Sequence, residues 1–271
     1  MEDPTLNPNP QAAIPNPRPF WHPGTFIALV RGRLLLVAIV LLSVLFVLLT
    51  ALILRADLKP TAWDVGITHE MQEFPRFPVG EVLVWISWPG FRDPIYQNWL
   101  IPAAIAAFMV WRRWLTEAVF TVVAALGGFT ADIVKNIIDR PRPPADLAVR
   151  VLDTYSFPSG HVTGYVVLYG FVFYLAFTLL LRRFLLRWLV LVICGIMIAL
   201  VGPSRVYMGQ HWASDVLAGY ALGFMYLLAV IEFYRFWIRR HPKAPVTQPP
   251  MMDDGRQTTD DGWQKAEGSK Q

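Results

Sequence analysis

The chain has 271 residues, 55% of them hydrophobic and 16% charged, with a mean hydropathy of +0.40 and a formal net charge of +4. That balance, with apolar runs of membrane length, excludes an ordinary soluble globule and makes domain counting by length misleading. The Lys and Arg residues cap apolar runs instead of covering one face, which argues against a nucleic-acid partner, and the single cysteine, Cys194, excludes an intramolecular disulfide.

In chain order, residues 1–30 are rich in proline (Pro4, Pro8, Pro10, Pro15, Pro17, Pro19, Pro23) and read as an irregular, solvated leader. The run 34–54 carries no charge and is long enough to span the hydrocarbon core, so it reads as a first membrane helix and not as a cleavable signal. Residues 79–88 are apolar but too short to cross; with Trp85 and Trp88 they predict an interfacial helix. Further spans are expected at 95–111, 115–138, 162–181, 185–201 and 212–238, six in all. The fold class is therefore all-α: one six-span membrane domain over 31–240, then a disordered polar tail over 241–271.

Basic residues set the expected orientation. Arg31 and Arg33 precede the first span, Arg112 and Arg113 separate the second and third, Arg182, Arg183 and Arg187 the fourth and fifth, and Arg235, Arg239 and Arg240 close the sixth. If the spans alternate, all four clusters share one side, which the positive-inside bias assigns to the cytoplasm. Both termini are then cytoplasmic, in a plasma (inner) membrane. Lys135, Arg142, the string Pro158-Ser159-Gly160-His161, and Ser204-Arg205 with His211 and Asp215 all fall on the extracytoplasmic side. Hydropathy carries no information about these polar strings, so their convergence is independent support for one site.

Ionisable groups beside apolar spans are costly and mark function. Arg142 and Arg205 offer planar forks of donors suited to phosphate oxygens, and Lys135 adds a point charge. Ser159 and Gly160 open a helix, where a hydroxyl and a closely approached backbone amide favour an anion. His211 and Asp215 are spaced i, i+4, so the carboxylate is expected to hold one ring nitrogen and leave the other free to attack phosphorus. His161, on another span, is expected to protonate the departing oxygen from the opposite side, as in-line displacement requires. Taken singly, Ser159 and Gly160 read as a simple N-cap, while for Lys135 and Arg142 snorkelling is the lesser alternative to anion binding; the combination reads as a phosphoryl-transfer site. Asp132, three residues before Lys135, reads as its ion-pair partner. No spacing suggests a metal centre, and no cofactor is expected.

The three strings, Lys135-x6-Arg142-Pro143, Pro158-Ser159-Gly160-His161 and Ser204-Arg205-x5-His211-x3-Asp215, resemble the complete signature of the type 2 phosphatidic acid phosphatases. This membrane family shares its site with vanadium haloperoxidases, and the resemblance covers about 34–238. It implies a magnesium-independent hydrolase in which His211 forms a phosphohistidine, Asp215 orients it, and His161 releases the alcohol and then activates water. Lys135, Arg142 and Arg205 would bind the phosphate, with Ser159 and Gly160 completing the cradle. The implied partner is a lipid phosphate or diphosphate in the outer leaflet, such as phosphatidic acid, phosphatidylglycerol phosphate or an isoprenyl diphosphate. A phosphotransferase with the same intermediate is the nearest alternative; a six-span lipid transporter with proton-relaying histidines is the alternative from another class.

Overall fold

The computed structural model describes residues 23–91, 100–150 and 152–242. Among them every regular element is a helix. Helix α1 (Pro23–Arg55) begins inside the segment expected to be irregular leader. Proline is tolerated in a first helical turn, and the apolar run Phe26-Ile27-Ala28-Leu29-Val30 extends the helix upstream of residue 34. Residues 1–22 of the leader and 243–271 of the tail lie outside the described residues.

Among the described residues, five helical stretches are long and apolar enough to cross a membrane: residues 32–55 of α1, α5 (Leu115–Ala125) together with α6 (Gly127–Ile138), α7 (Gly160–Leu179), α8 (Phe184–Tyr207) and α9 (Ala213–Arg240). The outward side chains suit hydrocarbon and not water: Leu34, Leu41 and Leu48, one face of α1, are 65%, 63% and 61% exposed. α4 (Ile101–Trp111) has 11 residues, about 16 Å of helix, which is short of a full crossing. The start of the expected second span, residues 95–99, lies outside the described residues.

Local chemistry explains where the other elements depart from expectation. α2 (Ala62–Gln72), not anticipated, starts at a capping box: Thr61 Oγ1 accepts from the Asp64 amide, and the Asp64 carboxylate accepts from the Thr61 amide. α3 (Glu81–Phe91) follows a wide turn at Arg76–Gly80 and packs on α8, burying Leu83 and Ile86 while Trp85 stays 65% exposed. The span 115–138 is interrupted at Leu126, where Gly127 lets the chain press against α7 and α9. A Cβ at Gly127 would stand 2.9 Å from both Val167 and Tyr226. α8 was expected to end at 201, yet it continues through Pro203 to Tyr207. Proline leaves the carbonyl four residues back without its donor. The Tyr220 hydroxyl of α9 enters this turn: it accepts from the Gly202 amide at 3.2 Å, donates to Ile198 O at 2.6 Å and lies 3.4 Å from Ala199 O, the carbonyl that Pro203 leaves free. Ser204 and Arg205 therefore lie on α8 and do not follow it.

α7 is the centre of the packing. Val162, Tyr165, Val166, Val167 and Phe171 are all fully buried, and α5, α6 and α8 pack against the helix. Between membrane helices close packing, not water exclusion, supplies the stability, and it needs small residues at the crossing. Gly219 and Gly223 of α9 supply them: a Cβ at Gly219 would stand 2.8 Å from Ser159 O, and Thr163 Oγ1 donates to Gly219 O at 3.2 Å. At the other end of α1, Leu49 and Ile53 pack with Phe157 and Ala218, pinning the loop between α6 and α7 to the bundle. Residues 1–235 make up one unit; a second, 236–271, is described only through the last turn of α9 and the two residues after it.

Candidate active site

Helix ends bring the polar strings together. Lys135 sits in the last turn of α6, Gly160 and His161 in the first turn of α7, Arg205 in the last turn of α8, and His211 just before α9. Gly209 makes the reversal between α8 and His211 possible. Its φ is +62°, and a Cβ would stand 2.0 Å from Leu147 O, so both conformation and space require glycine.

His211 is 1% exposed. Its Nδ1 lies 2.9 Å from the Ser156 carbonyl oxygen, which can only accept, so Nδ1 carries the proton. Nε2 then keeps its lone pair, and Arg142 Nη1 donates towards it at 3.2 Å. The i, i+4 spacing does bring Asp215 near, but at 3.8 Å from Nδ1 its carboxylate is beyond hydrogen-bond reach. The expectation of direct orientation by Asp215 is corrected on this point, because His211 precedes α9 instead of lying on it. The link runs through Ser156: its Oγ donates to Asp215 Oδ2, and its carbonyl accepts from His211.

Asp215 belongs to a fully buried network that sequence reasoning missed. Its carboxylate also accepts from the Trp212 amide at 2.9 Å and from Arg140 Nη1. Arg140 reaches Asp64 of α2 through Nη2 at 2.8 Å, and Ser214 donates to Asp64 Oδ1 through its amide at 2.9 Å and its hydroxyl at 2.7 Å. Two carboxylates thus share one guanidinium directly behind a cationic site. A carboxylate and an arginine bordering apolar spans were a usable signal for Asp64 and Arg140, but partners 76 and 75 residues apart are not readable from spacing.

In front of this network stand the three expected cations. Arg142 is clamped by Thr154 O at 2.7 Å, Thr154 Oγ1 at 2.8 Å and Gln210 O at 2.6 Å. Lys135 pairs with Asp132 at 3.1 Å, as expected. Arg205 is 1% exposed, and its Nε and Nη1 have no hydrogen-bond partner; the buried Ser159 Oγ has none either. Ser159 is the N-cap residue of α7, yet its hydroxyl makes no capping bond. Buried donors left unmatched are expensive, and these belong to residues suited to an anion. A Cβ at Gly160 would crowd Lys135 Nζ at 3.1 Å. His161 is half-buried beside them. An open pocket of about 600 Å³ is lined by Asp132, Lys135, Asn136, Arg142 and Thr154, among others, so Arg142 borders both the pocket and His211.

Burial, and then the charges of Arg142, Arg205 and Lys135, hold His211 well below the usual histidine range, against the opposing Ser156 bond. Burial likewise lowers Arg142 to about 10, with Asp215 opposing, so the guanidinium stays charged at neutral pH. Among the described residues, no group of three or more His, Cys, Asp or Glu side chains converges as a metal would need.

A family model described as the PAP2 superfamily matches residues 116–239, the stretch that holds Lys135 through Asp215. Phosphatidylglycerophosphatase B of Bacillus subtilis is 30% identical over 141 residues, 51% of this chain and 68% of that protein. A lipid A 1-phosphatase of Rhizobium johnstonii is 30% identical over 219 residues, covering 70% of this chain and 80% of the relative. This chain belongs to the PAP2 superfamily. The crystal structure of a transmembrane PAP2-type phosphatidylglycerolphosphate phosphatase from Bacillus subtilis superposes with a TM-score of 0.60 at 25% identity, over 76% of this chain and 98% of that one. The PAP2 protein described here is accordingly an integral membrane protein.

Proposed function

We propose that this PAP2 protein is a lipid phosphate phosphatase that works through a phosphohistidine on His211. The observation that carries the reading is the tautomer. With Nδ1–H committed to the Ser156 carbonyl, Nε2 is the lone-pair nitrogen, and it faces the cations. Nε2 attacks phosphorus while the P–O bond to the lipid breaks, and His161 gives its proton to the departing oxygen. Water then attacks phosphorus, its proton passing to His161, as the P–Nε2 bond breaks; phosphate leaves and His211 is regenerated.

Lys135, Arg142 and Arg205, with Ser159 and the Gly160 backbone, stabilise the equatorial oxygens, and the unpartnered Nε and Nη1 of Arg205 and Oγ of Ser159 are the donors such an anion would take up. With three fixed cations against the phosphoryl charge, hydrolysis proceeds without a divalent metal. Asp215 acts through Ser156, fixing the carbonyl that fixes the imidazole. Substrates are long-chain lipid mono- or diphosphates of the outer leaflet. Six spans, with 95–111 as the second, put both termini in the cytoplasm and the site outside; the support is the basic residues on alternate connections.

The test is phosphate release by detergent-purified protein across a set of lipid mono- and diphosphates, with and without excess chelator. Release that survives chelation and is abolished in His211→Ala is expected. Activity lost on chelation and restored by Mg²⁺ would overturn the metal-free mechanism, and full activity in His211→Ala would remove the nucleophile.

A further inference from the structure

At the opposite ends of the helices that carry the site, the bundle holds a second pocket, of about 530 Å³, where α4 meets α5 and α7 meets α8. Along α7 its lining runs from Val172 to Leu179, about 16 to 27 Å of helix from His161 at a rise of about 1.5 Å per residue. The body of the pocket is hydrocarbon in character, with Phe108, Leu175, Leu179 and Leu186 among its lining residues. Three exposed arginines, Arg112, Arg182 and Arg183, complete the lining, and no carboxylate contributes to it. Arg112 lies 5.9 Å from the centroid of the Trp111 ring and 5.8 Å from that of Trp114, within cation–π reach of both indoles, which helps position its guanidinium.

We propose that this pocket binds an anionic phospholipid of the leaflet opposite the catalytic site, acyl chain in the apolar body and phosphate among the three arginines. Two observations decide for this occupant. Charge complementarity requires an anion, because three guanidiniums and no carboxylate line the pocket. The apolar depth requires a chain attached to that anion, which free phosphate lacks. Basic pockets between membrane helices recognise phospholipid head groups in this way. The inference is independent of the chemistry assigned to His211, since none of the lining residues belongs to the catalytic constellation.

The test is native mass spectrometry of the full chain in detergent, titrated with dioleoylphosphatidylserine, a diester with no terminal phosphate to hydrolyse. Dioleoylphosphatidylcholine serves as the neutral match and glycerophosphoserine as the chain-free head group. Phosphatidylserine should bind and the other two should not. Each of Arg112→Gln, Arg182→Gln and Arg183→Gln should weaken binding roughly fivefold, and the triple variant about a hundredfold. Leu179→Trp, which fills the apolar body, should weaken it with all three arginines present, while Arg113→Gln, outside the pocket, and His211→Ala should leave it unchanged. Phosphate release by the pocket variants reports that they remain folded. Equal binding of the two lipids, an Arg113→Gln loss as large as that of Arg112→Gln, or retention in Leu179→Trp would overturn the proposal; competition by glycerophosphoserine would show a head-group anion site only.

Discussion

The nucleophilic role proposed for His211 makes a prediction about pH. Its burial among Arg142, Arg205 and Lys135 depresses its pKa, so the proposed nucleophile is neutral at pH 7. The acid limb of kcat/KM should therefore fall below the ordinary histidine value of about 6.5, activity being lost only as pH drops through the depressed pKa. Arg142→Gln removes one of the depressing charges and should move that limb upward while lowering the rate; a limb that stays put in the variant would show that Arg142 does not sense His211. Asp215→Asn should weaken the hold of Arg140 and Ser156 and lower kcat by about a hundredfold or more, if it behaves as other histidine-positioning carboxylates do. Rescue of stability but not of kcat by the isosteric amide would separate positioning from packing. Arg140→Met should be worse for folding, since it strands two buried carboxylates, a cost on the order of 3–5 kcal/mol readable as a fall in thermal midpoint. Of the eight site residues read from the sequence, Lys135 and Arg142 line the pocket, Arg142 reaches His211, and His211 is linked through Ser156 to Asp215. What the sequence hid was the support: Asp64, Arg140 and Ser156 are tied in through contacts spanning 55 to 150 residues, which no local pattern encodes.

At the scale of elements, the apolar runs were legible because membrane helices announce themselves by length, and 115–138, 162–181 and 212–238 agree with the structure to within about two residues. The misses share a cause. Leu126 and Pro203 are points where a tertiary neighbour decides the backbone: α5 breaks because Gly127 meets Val167 and Tyr226, and α8 continues because Tyr220 reaches Ile198 O. α2 escaped notice because it is short and only modestly apolar. Tyr220→Phe tests the second case directly. It strips the donor from a proline-freed turn and should destabilise the protein by about 1–3 kcal/mol, with loss of Arg205-dependent phosphate binding. Gly209→Ala should be disruptive as well, since alanine at φ +62° costs roughly 1–2 kcal/mol before the contact with Leu147 O is counted. An active, equally stable Gly209→Ala protein would mean that the turn before His211 is not fixed as described.

For the whole molecule, the proposed orientation puts the connection between α6 and α7 outside the cell. In a Cys194→Ser background, a cysteine replacing Val149, which is 59% exposed, should react in intact cells with a membrane-impermeant thiol reagent. Protection there, with labelling of a cysteine in the 243–271 segment, would invert the topology. The chemistry is decided by the covalent intermediate itself. A labelled lipid phosphate is mixed with wild type, His161→Ala and His211→Ala and quenched in alkali, and the modified peptide is located by mass spectrometry. An acid-labile phosphoryl group on His211 should appear in wild type, accumulate in His161→Ala with an activated aryl phosphate because the base for its hydrolysis is gone, and vanish in His211→Ala. A phosphoenzyme of undiminished yield in His211→Ala would contradict the mechanism at its centre.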